Sequence, residues 1–174
     1  GSKDIERILT ITQIYYLEIL EKKLSIPVLI QIINLLPNIT TLKIHSLSTD
    51  KTTELTLNEL LILCSMKRTG QITKDYLEKI DDVHKELDFL FTLCPYMEYF
   101  KVGCTNTTDV QSFLCTIFKE INRNNNHHLR LLCFHVPTGD DRIVKNIEKM
   151  IKCDKLLPHF TIKRILDSVY LQWK

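Results

Sequence analysis

A short pattern of apolar positions recurs along this chain: apolar-x-x-apolar-x-apolar, with the last three positions alternating. It occurs at Ile14-Leu17-Ile19, Ile39-Leu42-Ile44, Met97-Phe100-Val102 and Leu129-Leu132-Phe134. Two further copies are broken at their middle position. Ile72 and Leu77 flank Asp75, and Phe160 and Ile165 flank Lys163. The copies start at residues 14, 39, 72, 97, 129 and 160, which are 25, 33, 25, 32 and 31 residues apart. Apolar-polar alternation is strand spacing, so each copy predicts a short strand with one buried face.

Helical spacing fills the intervals. Ile80, Val83, Leu87, Leu90 and Cys94 make one stripe, and Val110, Phe113, Leu114, Ile117, Phe118 and Ile121 a second. Ile143, Val144, Ile147, Met150 and Ile151 make a third, after Asp140 and Asp141. Thr56-x-x-Glu59 and Thr108-x-x-Gln111 have capping-box spacing. Ser25 precedes "IPVLIQIINLL", with Pro27 in the first turn, where its missing N–H costs little. In "LPNITTLKI", "LCPYMEYFKV" and "LLPHFTIKRI" a proline ends each apolar run just before the next strand.

Strand then helix, six times, predicts an α/β chain with a parallel sheet and crossover helices. Intervals near 30 residues match a leucine-rich-repeat-like solenoid whose strands line a concave face. One departure is visible. The Asn or Cys that usually bonds the turn after each strand is replaced by Lys22, Leu47, Ile80, Thr105, Pro137 and Ser168. The expected solenoid is therefore irregular. A compact doubly wound domain is the structural alternative, although no Gly-rich turn follows any strand.

In such an array the residues between the apolar ones face the concave side and form ladders. The first ladder is Tyr16, Thr41, Lys74, Tyr99, Leu131 and Ile162. The second is Glu18, Lys43, Tyr76, Lys101, Cys133 and Arg164, and the third Leu20, His45, Glu78, Gly103, His135 and Leu166. The candidate binding residues are Tyr16, Glu18, Thr41, Lys43, His45, Lys74, Tyr76, Tyr99, Lys101 and Arg164. Tyrosine and arginine anchor interfaces, and lysines steer acidic ligands. Strand tyrosines are equally good β-formers and surface lysines a solvated face. An unpaired buried charge costs several kcal/mol, so Asp75 and Lys163 are both expected to reach solvent. Trp173 is expected to close the end of the core.

Composition narrows the chemistry. Formal net charge is +2, from 23 basic and 21 acidic residues, which argues against a dedicated nucleic-acid binder. Four glycines leave no Gly-rich phosphate loop. No apolar run approaches the ~20 residues of a membrane span. Six scattered cysteines with no CxxC pair read as reduced thiols, hence a cytoplasmic or nuclear protein. His127, His128, Cys133 and His135 lie close in sequence, but "NRNNNHH" reads as a polar turn, and no metal or other cofactor is expected. Cys133 with a histidine lacks an activating third group, so catalysis is not expected. Asp81-Asp82 and Asp140-Asp141 sit at helix starts, where they complement the macrodipole. The leading Gly1-Ser2 reads as a tag remnant, leaving residues 3–174 as one domain.

"LCPYMEYFKV", "LRLLCFHVP" and "TIKRILDSVYLQWK" resemble the C-terminal halves of a large family of F-box proteins abundant in rotifers. The resemblance covers nearly the whole chain and is strongest from Ile72 onward. It implies a leucine-rich-repeat-like substrate-recognition region of a ubiquitin-ligase subunit. In that family an N-terminal F-box docks the ligase adaptor. Here the first repeat begins by Ile14, so the adaptor would be reached only through an F-box outside this sequence. The expected function is a non-catalytic protein-binding module for an acidic protein ligand. Two alternatives remain open: a nucleic-acid-associated solenoid and a compact α/β enzyme.

Overall fold

The structure is a computed structural model that describes residues 14–49, 54–105, 110–136 and 141–174. Five strands run parallel in chain order: β1 (Tyr16–Ile19), β3 (Thr41–Ile44), β5 (Lys74–Ile80), β6 (Tyr99–Thr105) and β7 (Leu131–His135). Crossovers carry the helices α1 (Ile26–Leu35), α2 (Leu57–Thr69), α3 (Val83–Leu93) and α4 (Val110–Arg123), and α5 (Asp141–Cys153) follows β7. The fold is thus mixed α/β around a mostly parallel sheet. Right-handed crossovers that always step in one direction put every helix on the same side.

That side is the core. Leu42, Ile44, Leu77, Phe100, Val102, Leu132 and Phe134 of the strands are buried with Leu29, Ile30, Leu87, Leu90, Leu114, Ile117 and Ile147 of the helices. The expected alternation therefore places one apolar face inward over all five parallel strands. The local signals for helix ends hold as well. Thr56 and Glu59 close a reciprocal capping box on α2, with Thr56 N–H donating to Glu59 Oε2 at 2.7 Å and Glu59 N–H donating to Thr56 Oγ1 at 3.3 Å. Pro27 lies in the first turn of α1, although Ser25 makes no side-chain cap. Thr108 and Asp140 lie outside the described residues.

Turns after the first two parallel strands are satisfied by a device the sequence did not announce. Two-residue strands β2 (Leu24–Ser25) and β4 (Leu47–Ser48) pair parallel in a second small sheet. Ser46 Oγ donates to the Lys22 carbonyl, and Leu24 N–H donates to the Ser46 carbonyl at 2.9 Å. These bonds do the work that a buried Asn or Cys would otherwise do.

The C-terminal end departs from expectation. β8 (Phe160–Ile165) does not pair with β7. Strand β9 (Ser168–Trp173) folds back and inserts between them, antiparallel to both, giving the order β1-β3-β5-β6-β7-β9-β8. Among the described residues the sheet has seven strands rather than six. Val169 and Leu171 are buried, and the Trp173 ring meets Phe118 edge-on at 5.9 Å. Trp173 does close the core, but as the last inward residue of a strand.

Insertion of β9 also reverses the faces of β8. Ile162 stands opposite Leu171 and Arg164 opposite Val169, so both belong to the helix-covered side. Arg164 donates from Nε to the Leu166 carbonyl at 2.9 Å. Its placement on the candidate face is therefore corrected. Lys163, Thr161 and Ile165 occupy that face of β8 instead, and Lys163 is exposed, as expected.

Asp75 is the second correction. It sits inward on β5, between Leu42 and Phe100, and is completely buried. Neither carboxyl oxygen has a hydrogen-bond partner. Burial pushes its pKa from 3.8 up to about 7; the Tyr76 N–H lies near enough to pull it down a little but closes no hydrogen bond. The cost of a buried charge is avoided by protonation rather than by exposure.

Candidate functional site

The opposite face of the sheet carries no helix among the described residues, and its side chains run in three tiers. Cross-strand register fixes the first as Tyr16, Thr41, Lys74, Tyr99, Leu131 and Gln172. The second is Glu18, Lys43, Tyr76, Lys101, Cys133, Tyr170 and Lys163. His45, Glu78, Gly103, His135 and Ser168 form the third. Nine of the ten candidate residues fall on this face; the tenth, Arg164, does not. Leu20 lies beyond the end of β1, and Leu166 sits in the β8–β9 turn.

An open groove of about 660 Å³ crosses this face, lined by Tyr16, Lys43, Tyr76, Lys101, His135 and Ser168 among others. Its floor depends on Gly103. A Cβ there would come within 2.6 Å of the Glu78 carbonyl oxygen, so the backbones of β5 and β6 approach too closely for any side chain.

The two ends of this sheet face differ electrostatically. At the β1 end the charges are paired. Lys43 Nζ donates to Glu18 Oε1 at 2.7 Å and lies 3.6 Å from Glu78 Oε1. Tyr16 Oη donates to Glu18 Oε2 at 3.1 Å, and His45 Nδ1 lies 2.8 Å from Glu78 Oε2. The hydrogen bond from Lys43 holds Glu18 below its usual pKa, and the same contact raises Lys43. These are exposed pairs, so they fix geometry more than they add stability. At the other end, Lys74, Lys101 and Lys163 have no carboxylate partner among the described residues.

Between these lysines stands an aromatic cluster. The Tyr76 and Tyr99 rings meet edge-on with centroids 5.3 Å apart. Tyr99 and Tyr170 flank Cys133 on the neighbouring strands, and the Cys133 thiol is buried between them. Burial pushes the Cys133 pKa up, so the group stays a thiol and serves as packing. Burial likewise raises Tyr99. Tyr170 escapes the sequence reading because the repeat pattern assigns no strand to "SVYLQW". Its Val169-Leu171-Trp173 alternation was the available signal.

The His128 ring meets Tyr96 edge-on with centroids 5.2 Å apart, away from Cys133 and His135 on β7. Among the described residues no three His, Cys, Asp or Glu side chains converge as metal ligands, and no helix is long and apolar enough to cross a membrane. Comparison with family models, curated proteins and solved structures finds no match, so the functional reading rests on the fold and this face.

Proposed function

We propose that this chain is a non-catalytic protein-binding module, an irregular leucine-rich-repeat-like solenoid that takes an acidic protein segment on the open face of its sheet. The observation that carries the reading is the bare strand face itself. Among the described residues helices cover the seven strands on one side only, and the other side offers a groove lined by Tyr16, Tyr76 and Lys101, with Lys74 and Lys163 elsewhere on the same face and, like Lys101, without a carboxylate partner. Tyrosines supply rigid contact area at little entropic cost, and lysines attract the ligand and set its orientation. The ion-paired β1 end gives this face a polarity. An acidic segment would favour the half from β5 to β8, and Lys43 would contribute less than Lys74 and Lys101.

The sequence resemblance extends the proposal. The module would be the substrate-recognition part of an F-box ubiquitin-ligase subunit, acting in the cytoplasm or nucleus. Contact with the ligase adaptor would pass through an F-box outside this sequence, so residues 3–174 alone should not bind the adaptor.

The test is capture from a lysate of the source cells, followed by purification of the captured protein and measurement of its affinity. Lys74→Glu with Lys101→Glu should weaken binding at least tenfold, about 1.4 kcal/mol or more. Added salt should weaken the wild-type complex further. Equal affinity for wild type and double variant would sink the proposal.

A further inference from the structure

Helix α2 presents an apolar stripe to solvent. Leu57, Leu60 and Leu61 are 74%, 46% and 60% exposed, and Cys64 is exposed beside them. At about 100° per residue these four positions cover one continuous face. The buried residues of α2, Glu59, Leu63 and Met66, lie on the opposite face. The stripe is therefore additional to the surface α2 already gives to the core. Its neighbour α1 carries no charged residue and exposes Val28 and Leu35. Outward positions on α3, α4 and α5 are charged or polar instead, among them Lys85, Lys119, Lys145 and Lys149. Contiguous exposed leucines confined to one end of a helical layer mark an interaction surface.

We propose that this stripe pairs with the α2 stripe of a second copy, antiparallel about a two-fold axis between Leu60 and Leu61. Three observations select that occupant. The stripe is self-complementary when reversed: Leu60 faces Leu61 of the other copy, and Leu57 faces Cys64. Charge agrees with the same alignment. Exposed Glu54, just ahead of the helix, comes opposite Lys67, with Arg68 adjacent, at the other copy's helix C-terminus. Antiparallel pairing also sets each helix N-terminus beside its partner's C-terminus, which favours the dipoles. Finally, the area is modest. Covering both stripes removes roughly 800 Å² from water, below the ~1,200 Å² of stable complexes, so the dimer is reversible and forms at micromolar concentrations or above. Because the stripe faces away from the sheet's open side, a dimer presents two grooves at once.

Sedimentation equilibrium over about 10 to 300 μM tests the pairing in this range. Wild type should shift from monomer to dimer. Leu60→Glu with Leu61→Glu should remain monomeric with an unchanged circular dichroism spectrum, which is expected because both residues are exposed. Glu54→Lys should weaken association, and adding Lys67→Glu to it should restore association. In a Cys153→Ser background, Leu57→Cys should form a disulfide with Cys64 of the other copy on mild oxidation. The same background with Leu57 retained should cross-link far less. A wild type that stays monomeric throughout, a dimer that survives the double Glu variant, or equal cross-linking with and without Leu57→Cys overturns the proposal. So does a monomer whose stripe instead captures a different protein.

Discussion

At the scale of single residues, Asp75 governs how stability depends on pH. Its carboxyl is protonated in the fold up to about pH 7 and ionises near 3.8 when unfolded. Between those values the native state holds a proton that the unfolded state has released. Stability therefore falls as pH rises through this window, by about 1.4 kcal/mol per unit, and levels off above it. Asp75→Leu, which matches its neighbour Leu42, should remove that slope. The variant should gain more over wild type at pH 8 than at pH 5, by about 3 kcal/mol, in urea unfolding at the two pH values. An identical gain at both would show that Asp75 does not carry the proton. Gly103 is the other decisive residue. Gly103→Ala should lower stability by about 1–3 kcal/mol, because the new Cβ meets backbone rather than a movable side chain. Both positions were marked in the sequence, Asp75 as a break in the apolar pattern and Gly103 as one rung of a ladder. Their consequences were not legible there. Whether a carboxyl escapes to water or keeps its proton depends on what packs over it, and a close backbone approach leaves no trace in one-dimensional spacing.

Among the elements, the β8–β9 hairpin shows most clearly where sequence signals ended. Two-residue hairpins are announced by glycine or asparagine, because their turn needs a positive φ. This turn is Leu166-Asp167, and Leu166 adopts φ 54° while 87% exposed. A bulky residue in that region costs roughly 1–2 kcal/mol, and its side chain recovers little by packing. The turn thus lacked its usual signature, β9 went unread, and β8 was assigned the wrong face. Arg164 was misplaced for that reason alone. Leu166→Gly should raise the midpoint of thermal unfolding, with a gain of about 0.5–1 kcal/mol after the entropy of the freer unfolded chain is counted. No change or a loss would mean that the Leu166 side chain is held by contacts worth as much as the strain. Elements with conventional signals were read correctly. The capping box of α2 is closed on both sides, and the alternation of β1, β3, β5, β6 and β7 gave the register of their outward residues.

Across the whole molecule, the strands from β1 to β7 lie in chain order, so each strand–helix unit leans chiefly on its neighbours. In such an arrangement, removing a unit from an end should cost little more than that unit and one interface. The N-terminal end fits this expectation, because among the described residues β1 pairs only with β3 and its residues are partly exposed. The C-terminal end does not. β9 is the last segment of the chain yet lies inside the sheet, pairing with β7 on one side and β8 on the other. It buries Val169, Leu171 and Trp173, on the order of 6 kcal/mol of apolar burial, comparable with the 5–15 kcal/mol net stability of an entire domain. A chain ending at Asp167 should therefore lose cooperative unfolding altogether, with the β7 edge open to self-association. A chain beginning at Lys22 lacks β1 and should still unfold in a single transition, at a lower midpoint. Calorimetry of the two truncations decides the matter. If both retain one sharp transition, β9 is an ornament on the array rather than its closure, and the groove beside Tyr170 would have to be held by β7 alone.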